Sequence, residues 1–238
     1  MNNITIIPGS YKPPHKGHLS LIEKLIKKGN KKDNKKGNNK IIIIISKKSR
    51  PLDKTFKMEN KSKEQLQEAL IKYFPKEKDE ILLLTKGNIE KKIKTLIETN
   101  KLNSINYQQS LKVWNIYLKY LKKKYNKLPI IQFKVSETNN IIQETTKTML
   151  KCFREDKPKK IILMKSEKNR NNKRFDFLTS RFGKYIDTVL FPNIKDIDAT
   201  NMRKTILNND KKGFMKYLPK DLDEKDKLKI WNICSKLD

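Results

Sequence analysis

The chain has 238 residues, enough to bury a sizeable core, and its 36 % apolar content is low for a globular protein without reaching that of a disordered chain. Its 56 Lys and Arg against 26 Asp and Glu give a formal net charge of +30, which attracts polyanions. The two isolated cysteines, Cys152 and Cys234, exclude a disulfide framework and a thiolate metal site, and they suit a reducing compartment.

Residues 4–7, "ITII", read as a buried strand that begins almost at Met1, so no signal peptide is expected. Residues 17–28 form an amphipathic helix with Leu21, Leu25, Ile22 and Ile26 on one side. The stretch 27–40, "KKGNKKDNKKGNNK", reads as a solvated, low-complexity loop. Residues 41–45 are all isoleucine, the pattern of a central parallel strand covered on both faces and far too short to span a bilayer. Residues 47–103 are charged and hold a helix at 62–74 and a short apolar run at 81–84, which predicts an insertion or lid at about 51–103. Residues 108–125 form a strong amphipathic helix carrying Leu111, Trp114, Ile116, Leu118 and Leu121.

Strands at 130–135, 160–164 and 187–191 then alternate with helices at 140–153, 174–182 and 201–208, before a helical extension at about 209–238. This alternation predicts one α/β domain over 1–238, built on a doubly wound parallel sheet with the insertion after its second strand. Right-handed crossovers put the strand ends, and any ligand, along one edge.

The charge has two readings. One is nucleic acid or nucleotide binding. The other is coding bias: Lys, Asn and Ile dominate together, and arginine occurs only at Arg50, Arg154, Arg170, Arg174, Arg181 and Arg203. A dedicated nucleic-acid surface mixes in Arg and stacking aromatics. Only weak, non-specific nucleic-acid binding is therefore expected, no membrane partner is expected, and a cytoplasmic location is expected.

The most informative stretch is "GSYKPPHKGH", residues 9–18, which holds both histidines of the chain. His15 and His18, spaced i and i+3 at a helix start, lie on one face. Gly9 and Ser10 let the backbone approach a ligand, Pro13 and Pro14 lead into the helix, and Gly17 leaves room beside it. The helix N-terminus offers free N–H groups and partial positive charge, to which Lys12 and Lys16 add full charges. All of this suits a phosphate chain.

The stretch resembles the signature G-x-[FY]-x-P-x-H-x-G-H of the nucleotidyltransferase superfamily, with Gly9, Tyr11, Pro13, His15, Gly17 and His18 filling it. Late in the chain "IDATNMRKTI", residues 197–206, resembles the superfamily's I-S-[ST]-T-x-x-R, with Thr200 and Arg203 matching and Asp198 in place of Ser. Thr200 reads as the N-cap of the helix that carries Arg203. "IIIIISKKSR", "INYQQSLKVWNIYLKYL", "RFDFL" and "LNNDKKGFMKYLP" look like segments of phage and large-virus members, so the resemblance covers most of the chain outside about 51–101. One departure is "MKSEKN", residues 164–169, where relatives carry Gly-x-Asp; Lys165 and Glu167 stand there and leave base and ribose contacts open.

The resemblance implies a Rossmann-like fold and transfer of a nucleoside monophosphate, AMP from ATP as the first expectation, to a phosphate-bearing acceptor such as nicotinamide mononucleotide. It also implies pyrophosphate release without a covalent intermediate. His15 would orient the α-phosphate, and His18 would meet charge growing on the α- and β-phosphates. Lys12, Lys16 and Arg203 would neutralise the triphosphate, with Gly9, Ser10, Tyr11, Gly17 and Thr200 shaping the nucleotide site. Lys47 and Arg50 are candidates for the acceptor phosphate, or simply part of a solvated basic loop. Mg²⁺ would ride on the phosphates, with no metal ligands from the protein. Open alternatives are a cytidylyltransferase using CTP, a pantetheine-phosphate type enzyme, and a non-catalytic basic protein that binds nucleic acid or a virion component. Acceptor identity, oligomeric state and the insertion's role are not readable.

Overall fold

Consecutive isoleucines leave a strand no polar face, and both faces of this one are covered. Ile41, Ile43 and Ile45 join one apolar cluster, and Ile42 and Ile44 join the other. The computed structural model describes residues 3–30, 38–56, 58, 60–99, 102–138, 140–167, 176–192, 194 and 196–235. Five strands make the main sheet: β1 (Asn3–Gly9), β2 (Asn38–Ile45), β5 (Ile130–Val135), β6 (Ile161–Ser166) and β7 (Ile186–Phe191). Their order is β5-β2-β1-β6-β7, and every pairing is parallel. From β1 the chain first builds outward through β2 to β5, then returns to lay β6 and β7 on the other side of β1. The strand order thus reverses beside β1, and a crevice opens there at the carboxyl ends of the strands.

Helices cover both faces. Helices α1 (Lys16–Asn30), α5 (Tyr107–Lys124), α8 (Ala199–Leu207), α9 (Lys211–Met215) and α10 (Glu224–Ser235) supply the larger cluster, including Leu19, Ile22, Trp114, Met202, Phe214 and Trp231. Helices α6 (Ile141–Glu155) and α7 (Asp176–Phe182) cover the other face through Met149, Cys152 and Leu178. In α5 the buried residues Ser110, Val113, Trp114, Tyr117 and Leu121 follow helical spacing, and Asn106 with Gln109 closes a capping box at its start. This is the expected α/β Rossmann-like sheet. The C-terminal segment is no appendage: Phe214, Leu218, Leu222 and Trp231 lie in the main core.

The charged stretch after β2 holds more helix than its composition suggests. Besides α2 (Lys63–Tyr73), it contains α3 (Lys78–Leu83), which absorbs most of the apolar run at 81–84, and α4 (Lys86–Glu98), which the sequence reading misses. Lysines are as many as apolar residues in α4, yet Ile89, Ile93 and Leu96 recur at helical spacing and are buried. They pack with Phe56, Leu66, Leu70 and Ile81 into a separate small core. The short strands β3 (Arg50–Pro51) and β4 (Ser104–Ile105) pair antiparallel and close the neck of this helical unit. The helix expected at 174–182 begins at Asp176, and Arg174 lies outside the described residues, as do 31–37 of the predicted 27–40 loop.

Candidate active site

The turn between β1 and α1 lies at the point where the strand order reverses. Tyr11 organises it. Its backbone is in the left-handed region (φ 51°), uncommon for a bulky side chain, and the surrounding packing must hold it there. The ring is buried edge-on between Trp114, at 5.5 Å, and His18, at 4.9 Å. Its hydroxyl donates to the Ile7 carbonyl at 2.9 Å, and burial pushes its pKa far up. The Ser110 hydroxyl donates to the Tyr11 carbonyl at 2.7 Å, a tie from α5 that sequence reasoning missed because Ser110 sits inside an apolar helix pattern. Tyr11 lines the cleft, but chiefly as a support.

Gly9 is explained by that ring. A β-carbon on Gly9 would fall 2.5 Å from the nearest Tyr11 ring atom, and the ring has no room to retreat between Trp114 and His18. Gly9→Ala should therefore destabilise the protein by about 1–3 kcal/mol, the usual cost of overpacking. It should also misplace His18. Chemical denaturation together with nucleotide titration would check both effects, and an unchanged midpoint would contradict this role.

His15 and His18 stack with ring centroids 3.7 Å apart and 25° between planes. The His15 backbone N–H donates to His18 Nδ1 at 3.2 Å, and the Gly17 N–H donates to His15 Nδ1 at 3.2 Å. An imidazole nitrogen that accepts a hydrogen bond carries no proton, so each neutral ring carries its proton on Nε2. Both imidazoles line the cleft. Burial first, and the neighbouring His15 second, hold His18 well below the ordinary histidine range, so it is neutral at pH 7. The room beside Gly17 is taken by His15: a β-carbon there would lie 3.0 Å from the imidazole.

The N-terminus of α1 differs from expectation. Its first N–H groups are not free, because Lys16 N–H donates to the Tyr217 carbonyl at 2.8 Å and Gly17 N–H is spent on His15. Anion-binding capacity at this turn rests on side chains rather than on the bare helix end. The N-cap of α8 also differs. Asp198, not Thr200, caps it, accepting from the Asn201 N–H at 2.8 Å, and Thr200 lies inside the helix. Aspartate at the usual serine position takes the cap because its carboxylate accepts as well and adds charge at the positive helix end. Thr200 is left to hold Arg203, whose Nη2 donates to its Oγ1 at 3.2 Å.

Arg203 crosses from α8 to the β1–α1 turn. Its Nη1 donates to the Lys12 carbonyl at 2.6 Å, and its Nε is buried with no hydrogen-bond partner among the described residues. Burial, then the charge of Arg50, lowers its pKa to about 10, with Asp198 acting the other way, so it keeps its charge at neutral pH. Lys12 does not face the cleft. It is fully buried (0 % exposed), and its Nζ donates to the Ser46 carbonyl at 2.5 Å and the Ser10 carbonyl at 3.4 Å. Burial, then Arg50, brings its pKa down to about 7.

One cavity opens at this turn, and a second lies past the end of β2. The first, about 250 Å³, is lined by Gly9, Ser10, Tyr11, His15, Gly17 and His18 on one side. Lys165, Ser166, Phe191 and Asp198 face them. Lys165, in the departing "MKSEKN" segment, is part of this wall and pairs with Asp176 at 3.3 Å. The second cavity, about 790 Å³, lies between the end of β2 (Lys47, Lys48, Ser49), the start of α5 (Asn106, Tyr107, Gln108) and α4 (Lys94, Ile97, Glu98). Lys47 lines it, whereas Arg50 does not and instead acts electrostatically on Lys12 and Arg203. The two candidates for the acceptor phosphate are thus divided, Arg50 toward the Arg203 side and Lys47 toward the insertion. Lys16 is half-buried beside the turn.

Fold and cleft together define an α/β nucleotidyltransferase. The chain belongs to the cytidylyltransferase-like family, whose model matches residues 6–172. That span includes the histidine turn, Lys47, Arg50 and the insertion but stops short of Thr200 and Arg203. Among solved structures the chain is similar to Plasmodium falciparum nicotinic acid mononucleotide adenylyltransferase complexed with NaAD, with a TM-score of 0.47 and 13 % identity. That match covers 100 % of this chain and 99 % of the other. No curated protein matches the sequence. Among the described residues no helix is long and apolar enough to cross a membrane.

Proposed function

We propose that the protein is an adenylyltransferase that moves AMP from ATP onto the phosphate of a mononucleotide such as nicotinamide mononucleotide. An acceptor phosphate oxygen forms a bond to the α-phosphorus, the bond from that phosphorus to the bridging β-phosphate oxygen breaks, and pyrophosphate leaves with the electron pair. Such a transfer needs positioning and charge stabilisation rather than a nucleophilic side chain. The observation that carries the reading is the stacked pair His15 and His18. Both line the cleft, and each accepts a backbone N–H at Nδ1, which leaves Nε2 to carry the proton of a neutral ring. Two preorganised donors suit the α-phosphate oxygens, where charge develops. Arg203, bonded to the Lys12 carbonyl of the same turn, would supply a cation for the β- and γ-phosphates.

The donor set fits Mg²⁺ only as an ion carried by the phosphates. The carboxylate at the cleft, Asp198, is engaged by the start of α8 and by the Asn201 side chain. Bound there, Mg²⁺ would offset charge on the triphosphate. Lys47 and the second cavity suit the acceptor. CTP as donor and a pantetheine phosphate as acceptor remain the nearest alternatives, because Lys165 and Ser166 carry no base preference that can be read from their chemistry.

The +30 charge favours a second reading, a basic protein that binds nucleic acid on the same fold. It gives no role to two stacked imidazoles of which His18 is held neutral. The test is pyrophosphate release with ATP or CTP against a panel of phosphate acceptors. Acceptor-dependent release with ATP supports the adenylyltransferase. Release with CTP alone moves the enzyme to the cytidylyltransferases, and tight DNA binding without release establishes the binder.

A further inference from the structure

One buried residue, Lys12, ties together segments that border the two cavities. Lys12 Nζ binds the carbonyl of Ser10, which lines the nucleotide cleft, and the carbonyl of Ser46, the immediate neighbour of Lys47 in the second cavity. The Lys12 carbonyl in turn receives Arg203. One residue thus touches the β1–α1 turn, the end of β2 and α8 at once. An apolar side chain would fill this space at lower cost, since a buried ammonium without a carboxylate partner is unfavourable. Among the described residues neither Lys12 nor Arg203 has a carboxylate at ion-pair distance, and Arg50 adds further positive charge to both. A residue kept in so unfavourable a place is explained by the geometry it enforces.

Resting on the nucleotidyltransferase reading, we propose that Lys12 is a positioning residue that holds the two half-sites in register. Its side chain fixes the end of β2, and with it the acceptor cavity, to the nucleotide turn. Its carbonyl fixes Arg203 against the same turn. In-line transfer needs the acceptor oxygen and the α-phosphate aligned across this partition, so a small displacement of either half costs rate. Lys12 touches neither substrate and acts through Arg203 and β2.

A double-mutant cycle tests this. Lys12→Met keeps length and apolar bulk and removes the amine. In the wild-type background it should lower kcat at least tenfold and raise KM for both ATP and nicotinamide mononucleotide. In an Arg203→Ala background the same change should keep its effect on the acceptor KM, which runs through β2, and lose the part of its effect on ATP that runs through Arg203. A merely structural role predicts equal losses for ATP in the two backgrounds, recovered by assaying at lower temperature; either result overturns the proposal. A rise in only one KM overturns it as well. If Lys12→Met does not fold, Lys12→Gln, which retains a donor, carries the same cycle. Calorimetry with α,β-methylene-ATP separates this inference from the wider reading. Its affinity should fall in Lys12→Met even if no acceptor supports turnover, and unchanged affinity counts against Lys12 alone. Absence of pyrophosphate release by the wild type with every acceptor counts against the enzymatic reading alone.

Discussion

Replacing His18 with alanine should lower kcat by roughly 10²-fold or more, the scale of one lost donor to a developing oxyanion. The ring's Nδ1 accepts from the His15 N–H, so the neutral ring carries its proton on Nε2. Because burial and His15 keep His18 neutral, it works as a hydrogen-bond donor and not as an imidazolium. ATP affinity should change much less than kcat, since the charge it meets is largest in transit. The pH dependence follows with its sign. The folded pKa lies well below the ordinary value, so below about pH 6.5 the unfolded chain takes up this proton before the folded one does. Stability should therefore fall on acidification through that range, and His18→Ala should remove that part of the slope. Steady-state kinetics and melts from pH 5 to 8 read both. A near-normal kcat in His18→Ala would remove His18 from the chemistry.

Arg203 carries the second large effect. Its guanidinium makes two bonds at once, to the Lys12 carbonyl and to Thr200, and leaves a buried Nε without a partner among the described residues. Lysine can replace the charge but not the planar fork that spans both. Arg203→Lys should cost at least about 1.4 kcal/mol, tenfold in kcat/KM, and Arg203→Ala more. The loss should appear mainly in ATP binding, with the acceptor affected less. Separate titrations of the two substrates against each variant decide this. If acceptor binding falls while ATP binding holds, Arg203 serves the other half of the site. Its neighbour Arg50 would then mark the acceptor phosphate.

Much of this was legible before the structure, for identifiable reasons. Five isoleucines in a row can only be a strand covered on both faces, and β2 is one. The histidine spacing placed both rings on one face, and the structure stacks them there. What the sequence hid are arrangements set by tertiary packing. Nothing local says that the Lys12 amine turns inward to the Ser46 carbonyl rather than outward to a phosphate. Nothing in "PPHKGH" says that Tyr217, some 200 residues later, takes the Lys16 N–H. Thr200 looked like a cap because threonine commonly is one, yet Asp198 sits two residues earlier and takes that role. Helix α4 was hidden by its lysines, whose charge masks three well-spaced apolar residues.

The central claim is attack at the α-phosphate, with the histidine turn as its site. Incubation of the protein with ATP labelled at the α-phosphate, or separately at the γ-phosphate, together with nicotinamide mononucleotide and Mg²⁺, tests it directly. The account predicts α-label in a dinucleotide product and γ-label in pyrophosphate, both abolished in a His15→Ala, His18→Ala double variant. Release of γ-label as inorganic phosphate, or transfer that persists in the double variant, would contradict it.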